Sequence, residues 1–342
     1  MEDDGVFNVL RMLNRFDTDL ETVPLFTATT AEQVRQILSN GEDIEKEARI
    51  NRERHTALTY ACQKGILEVV GSLIDHGASM ERSENLTLTP LAIACKNGHT
   101  DVVRLLIEKG ASVNNDHSLN TNPLTMACKK GHTEIVRVLL DHGASMNRAP
   151  KSDSTPLIAA AKNGHADILD LLIERGVGVN SQSPDGATAL ITACYYKQID
   201  IIDRLLAAGA DVNIVQEFQT TAFHSGCASG SLDVVDRLIV HGVDINAVLE
   251  NGMTGLIGSS MKGCDDVVDR LLSLGVDPNA TCNKGRTALY YACRKKRKKI
   301  IELLLNHGAD PEIADNRGTK PIDLVVDEEI KTLLSSHTKK AL

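Results

Sequence analysis

Eight cysteines, a set of histidines and many carboxylates are the side chains of this 342-residue chain equipped for metal binding, nucleophilic attack or proton transfer. Six of the cysteines (Cys62, Cys95, Cys128, Cys194, Cys227 and Cys293) stand at multiples of 33 residues from one another, and Ala161 and Ser260 fill two intervening slots. Metal ligands cluster, whereas small side chains at a fixed period belong to a repeated packing surface. Neighbouring rungs of such a ladder would lie about 10 Å apart, beyond the roughly 7 Å Cα limit for a disulfide. Cys264 and Cys282 lie off the ladder without a C-x-x-C partner, so reduced structural thiols in an intracellular protein are expected. The histidines are periodic too: His99, His132 and His165 follow a glycine, while His76, His142, His241 and His307 precede one. That pattern marks them as turn residues and not as ligands. Glu68, Asp101, Glu134, Asp167, Asp200, Asp233 and Asp266 share a register at the start of a second helix. There each would stabilise the helix dipole by about 0.3–1 kcal/mol, which accounts for them without paired catalytic acids. The chain contains no G-x-x-x-x-G-K-[ST] phosphate loop, no G-x-S-x-G elbow and no H-E-x-x-H pair. The expectation is a protein that is not an enzyme and uses no cofactor and no metal.

The elements that set these registers are plainest in Thr89–Asn115, TPLAIACKNGHTDVVRLLIEKGASVNN. Thr89 is a helix N-cap and Pro90 suits the first helical position, where no amide is needed. Leu91, Ala92, Ala94 and Cys95 give a short helix of small and apolar residues, which Gly98 ends in the left-handed conformation. Thr100 is expected to cap a second helix, with Asp101 at its positive end. Val102, Val103, Leu105, Leu106 and Ile107 form its apolar stripe, and Gly110 stops it. The polar residues that follow suit a hairpin-like loop. The cap recurs every 33 residues at Thr56, Thr89, Asn122, Thr155, Thr188, Thr221, Thr254 and Thr287, with degenerate echoes at Val23 and Lys320. One pair of helices cannot bury its own apolar faces, so neighbouring units must stack.

With the pattern T-P-L…A…G-H…L-L…G-A…N at this period, the chain resembles the ankyrin-repeat family over roughly residues 20–335. The resemblance implies an all-α repeat solenoid of stacked helix-turn-helix repeats with hairpin loops, about nine to ten repeats including degenerate end caps. It also implies protein–protein recognition, not a particular partner. The family's usual histidine just after T-P-L is kept only at His224; elsewhere Thr59, Ala92, Thr125, Ile158, Ile191, Ile257 and Tyr290 stand there. The bracing hydrogen bond of that histidine is therefore not expected in most repeats.

Composition fits a long array. Aromatic content is 3% with no Trp, as expected for a core of Leu, Ile, Val and Ala, and the formal charge of −9 disfavours a general nucleic-acid binder. The acidic start MEDDGVFNVL is no secretory signal, and no stretch approaches 18 apolar residues. In chain order, residues 1–20 carry Val6, Val9, Leu10, Leu13 and Phe16 at helical spacing and read as an N-terminal capping helix. Residues 21–337 form the repeat array, opening on a shortened repeat whose Gly41 arrives three residues early. Residues 338–342 read as a frayed tail. The first helices AFHSGCASG (222–230) and GLIGSSMKG (255–263) carry Gly and Ser where Ala is preferred. Each interior Gly costs roughly 0.5–1 kcal/mol against Ala, so 222–263 should exchange amide hydrogens faster than 89–175.

Binding is read from positions that stacking does not dictate. In the arrangement the resemblance implies, first-helix ends and loop tips face the concave side. The two residues before the inter-helix glycine are Gln63/Lys64, Lys96/Asn97, Lys129/Lys130, Lys162/Asn163, Tyr195/Tyr196, Ala228/Ser229, Met261/Lys262 and Arg294/Lys295. This largely basic strip in an acidic chain suits either helix-dipole complementation or a groove for an acidic partner segment. Residues 61–194 contain no aromatic side chain; then Tyr195 and Tyr196 occupy strip positions, followed by Phe218 in the neighbouring loop. Paired tyrosines are typical interface anchors, and packing filler is the competing account for Phe218 and Phe223. The candidate partner-binding residues are Lys96, Lys129, Lys130, Lys162, Tyr195, Tyr196, Phe218, Arg294 and Lys295. The run Arg294–Lys299 offers an alternative, a nuclear-import signal or a nucleic-acid contact. The resulting expectation is a cytoplasmic, monomeric adaptor without membrane attachment, with nuclear entry and nucleic-acid association as the alternative.

Overall fold

Every regular repeat opens where a short polar side chain closes a helix N-terminus. In the computed structural model, which describes residues 23–50, 53–81, 88–114, 122–147 and 154–338, Thr56, Thr89, Asn122, Thr155, Thr188, Thr221, Thr254 and Thr287 all serve this role. Each accepts a hydrogen bond from the amide three residues on, satisfying one of the helix's orphan donors. The expected capping helix at 1–20 and the tail beyond Thr338 lie outside the described residues.

Contacts divide the chain into two compact units, Met1–Asn163 and Gly164–Leu342. The first opens on a 3₁₀ turn (Pro24–Phe26) and α1 (Ala31–Ser39), which Thr30 and Gln33 close with reciprocal capping hydrogen bonds. Gly41 ends that helix with φ +86°, so the early glycine marks a real terminator. An antiparallel hairpin of β1 (Ala48–Ile50) and β2 (Glu53–His55) leads into α2 (Ala57–Lys64) and α3 (Leu67–Asp75). Then come α4 (Pro90–Asn97), α5 (Thr100–Glu108), α6 (Pro123–Lys130), α7 (Thr133–Asp141) and α8 (Pro156–Asn163). The first helices α2, α4, α6 and α8 pack side by side in one layer, and α1, α3, α5 and α7 in a second.

The second unit repeats the plan. Its helices are α9 (Ala166–Glu174), α10 (Ala189–Tyr195), α11 (Ile199–Ala207), α12 (Ala222–Ser229), α13 (Leu232–Val240), α14 (Gly255–Lys262), α15 (Asp265–Ser273), α16 (Ala288–Arg294) and α17 (Lys298–Asn306). Helices α10, α12, α14 and α16 form one layer, and α9, α11, α13, α15 and α17 the other. A 3₁₀ turn (Pro321–Leu324) packs on α16, and α18 (Glu328–Thr338) packs on α17, closing this end.

The core is the stack of apolar ridges that the period predicts. Leu73, Leu106, Leu139, Leu172, Leu205, Leu238, Leu271 and Leu304 are fully buried, each stabilising by about 1.5–3 kcal/mol over exposure. The six ladder cysteines are all buried free thiols. Burial pushes each thiol above its ordinary range, to about 12 at Cys194 and Cys293, so they behave as small apolar fillers.

The inter-helix turn differs from expectation in one respect. Thr100 does not cap α5; it is the first helical residue, and His99 holds the N-cap position without a side-chain capping bond. The reason is the tightness of the turn. Gly98 is left-handed (φ +84°), His99 sits at φ −87° and ψ +79°, and the Thr100 amide already bonds the Gly98 carbonyl at 3.2 Å. This is an inverse γ-turn, which leaves no room for a separate cap residue. The His99 ring reaches back instead, its Nε2–H donating to the Gln63 carbonyl (3.0 Å), and His132 does the same to Lys96 (3.3 Å).

Candidate functional site

The nine candidate residues divide between the units, with Lys96, Lys129, Lys130 and Lys162 in the first and the rest in the second. In the first unit they end three neighbouring helices, α4, α6 and α8, which positions them in a row. Lys129, Lys130 and Lys162 are exposed and Lys96 is half-buried. Lys64, at the same place on α2, lies over the Tyr60 ring, 5.3 Å from its centroid. The asparagines of the row serve structure: Asn97 and Asn163 donate to the Ile93 and Ala159 carbonyls at 2.8 Å, one turn back in their own helices.

In the second unit Tyr195 and Tyr196 are the exposed aromatic side chains among the described residues. Tyr195 and Tyr196 are 59% and 44% exposed, with ring centroids 5.2 Å apart in an edge-to-face arrangement. They sit at the end of α10 because the ladder residues Ala193 and Cys194 before them face the core. Phe218 lies in a 3₁₀ turn (Glu217–Gln219), and its side chain is outside the described residues. Phe223, by contrast, is fully buried and is core filler. Arg294 and Lys295 are exposed at the end of α16, with α12 and α14 packed between that helix and α10. The structure thus pairs the tyrosines with each other and leaves Arg294 and Lys295 on a separate helix.

The cationic run splits in two. Lys298 bonds Glu329 of α18 at 2.5 Å, which raises its pKa, and Lys299 lies 3.5 Å from Asp265. Arg297 takes the turn-histidine role, donating to the Lys262 carbonyl at 3.1 Å. Arg294, Lys295 and Lys296 make no side-chain hydrogen bond or ion pair among the described residues and are exposed.

The sequence shows Lys197–Gln198 in place of one Gly-His turn and His224 as the one bracing histidine, but it misses the backbone of these turns, the role of Cys264 and the Asp-Arg ladder. Lys197 and Lys296 occupy the left-handed turn position, each at φ +57°, where six other repeats place glycine. Their place in the 33-residue register was the available signal. Cys264 falls in the register of the turn histidines, and its sulfur covers Gly230, where an added Cβ would approach it to 2.6 Å. His224 does make the family-type brace: it bonds Thr221 Oγ1 through Nδ1 and the Ala247 carbonyl through Nε2, both at 3.0 Å. A ladder of Asp-Arg pairs joins the second-layer helices, with Arg204 to Asp170, Arg237 to Asp203 (2.6 Å) and Arg270 to Asp236 (2.7 Å). Its signal was the dipeptide Asp-Arg recurring at 203–204, 236–237 and 269–270.

Chemically, the strip offers cations, amide groups, a hydroxyl and phenol rings. No group of three His, Cys, Asp or Glu able to hold a metal occurs among the described residues, and no helix there is long and apolar enough to cross a membrane. The family model for ankyrin repeats (3 copies) matches residues 25–117, 79–150, 147–216 and 221–315. Comparison with curated proteins gives no match. Ankyrin repeats generally mediate protein–protein interactions. Its motif, its stacked helix pairs and this coverage together establish that the chain belongs to the ankyrin-repeat family.

Proposed function

We propose that the chain is a non-catalytic adaptor that holds acidic segments of a protein partner against its first-helix ends. One observation carries this reading: in a chain of formal charge −9, the residues just before the inter-helix turns are mostly exposed and include no carboxylate. Lys129, Lys130 and Lys162 supply the charge in the first unit, and Tyr195 and Tyr196 supply aromatic anchors in the second. An acidic net charge elsewhere keeps the array soluble while the strip attracts an opposite charge locally. The same reading makes the protein a cytoplasmic monomer that needs no cofactor.

The test is a pull-down from source-cell extract with wild type and with Tyr195→Ala/Tyr196→Ala. Mass spectrometry should identify a partner retained by the first and depleted from the second, with melting temperatures equal because both rings are exposed. Unchanged recovery refutes the tyrosine assignment. A second reading, nucleic-acid contact or nuclear import through residues 294–299, rests on the three unpaired cations Arg294, Lys295 and Lys296. It is disfavoured because Arg297, Lys298 and Lys299 are already engaged within the fold. Strongly salt-dependent RNA or DNA binding, lost on neutralising residues 295–299, would establish it in place of the first.

A further inference from the structure

The two first helices that read as poor helix formers enclose a recess. Between α12, α14 and the loop that precedes α14 lies a cavity of about 140 Å³, whose lining includes His224, Cys227, Met253, Gly258, Met261 and Lys262. Its lining is almost wholly apolar. The volume has a definite origin. At Gly258 an added Cβ would meet nothing within 4 Å, whereas at Gly255 it would strike the Phe223 ring at 2.5 Å. Phe223 therefore takes the room that Gly255 vacates, and Gly258 leaves its own room empty. His224 is held in place by its bonds to Thr221 and Ala247, so the wall is braced.

A cavity of this size matches the roughly 150 Å³ that accommodates a benzene ring, and methionines adapt to an inserted group at little cost. Charge says what accompanies that group. Lys262 lines the recess, and at the adjoining turn the cations Lys197, Lys262 and Arg297 act on Cys264 against the single anion Asp265. The loop before α14 also carries the exposed Glu250, which does not line the recess.

We infer that this recess receives one aromatic or large aliphatic side chain of the partner, flanked by carboxylates that face the Lys262 side. The inference rests on the proposed reading of the second unit as a surface for an acidic segment, and it adds the residue that the segment must contain. Cavity filling then separates binding from folding. Gly258→Leu places a side chain in the open space at that position and replaces a helical glycine, so the fold is retained or strengthened while the site is blocked. Gly258→Ala gains the same helix preference and leaves most of the cavity.

The probe is an acetylated, amidated pentapeptide with phenylalanine between pairs of acidic residues, titrated into the full chain carrying ¹³C-methyl methionine. The Met253 and Met261 methyl resonances should shift saturably. A peptide with alanine at the centre, and one with basic flanks, should bind at least tenfold more weakly. Gly258→Leu should abolish the shifts without lowering the melting temperature, and Gly258→Ala should keep them. Absence of a saturable shift, equal binding of the basic-flanked peptide, or full binding by Gly258→Leu overturns the inference. The underlying reading is judged separately. If Tyr195→Ala/Tyr196→Ala loses the captured partner while Gly258→Leu keeps both that partner and the peptide, only the recess assignment falls; if neither variant loses anything, both fall.

Discussion

Lys197 and Lys296 carry side chains at a turn position that elsewhere belongs to glycine, and replacing both with glycine should make the protein more stable. Each sits at φ +57° between a first and a second helix. The left-handed region costs an ordinary L-residue about 1–2 kcal/mol. Glycine removes that strain but returns about 0.4–1 kcal/mol as extra freedom of the unfolded chain. The net gain is then about 0.5–1 kcal/mol per site. The two turns are three repeats apart and share no partner, so the gains should add to about 1–2 kcal/mol. For a cooperative unit of this size that is roughly 2–8 °C in melting temperature, read by circular dichroism at constant pH and salt. Both lysines are exposed and make no side-chain hydrogen bond or ion pair among the described residues that their removal would break. If Lys197→Gly and Lys296→Gly instead lower the melting temperature, the strain argument is wrong. Strain of this kind persists where something else requires the residue. Both cations border the proposed binding strip, so the stabilised double variant should also bind the acidic pentapeptide more weakly.

Other outcomes follow from the same geometry. Amide exchange should be faster in 222–263 than in 89–175, because the former contains Gly226, Gly258, the 140 Å³ recess and a buried Ser260 hydroxyl without a partner; equal protection by mass spectrometry would contradict this. Stability should fall as pH drops below about 6.5, because burial lowers the pKa of both His55 and His224. Their folded forms stay neutral while the unfolded chain takes up protons, so the loss starts at the unfolded pKa. The decline should be smaller in His224→Gln by urea titration at pH 7.5 and 5.5. A further loss should appear as pH falls from about 4 towards 2, where Asp315 titrates. Burial there opposes the charge, but the Arg317 and Thr319 amides and the Arg286 guanidinium outweigh it and hold the carboxyl at about 2. A thiol reagent on the native protein should modify Cys264 first, since it is the one cysteine of the eight not buried; early labelling of Cys95 or Cys128 would disprove the ladder's burial.

Much of the fold was legible because one rule is repeated. A Thr cap, an interior Leu and a left-handed glycine each satisfy a local demand, and the period shows that the demands agree from repeat to repeat. The tight turn was less legible. Thr100 looks like a cap by residue type, and only the bond between its amide and the Gly98 carbonyl shows that no cap is needed. Of the candidate positions, Tyr195, Tyr196, Lys129 and Lys130 are exposed, as their place outside the apolar pattern suggested. The recess was not legible. Gly255 and Gly258 look alike as weak helix formers, and only their neighbours distinguish a glycine that yields to Phe223 from one that faces empty space.

The net charge of −9 gives little guidance to what the surface attracts, because the charges are not equally available. On the second-layer helices of the second unit, Arg204, Arg237 and Arg270 are each paired with an aspartate of the preceding repeat. Such partly exposed pairs contribute up to about 1 kcal/mol each, and their fields largely cancel at a distance. At the end of α16 and its turn, Arg294, Lys295 and Lys296 are exposed and make no side-chain hydrogen bond or ion pair among the described residues. The two faces thus differ both in composition, since the strip carries no carboxylate, and in how their charges are paired. In the second unit, one layer carries paired charges and the other ends in the exposed Arg294, Lys295 and Lys296. That asymmetry favours the first-helix ends as the proposed binding face, and it combines a ladder that follows the 33-residue period with cations at 294–296 that depart from it.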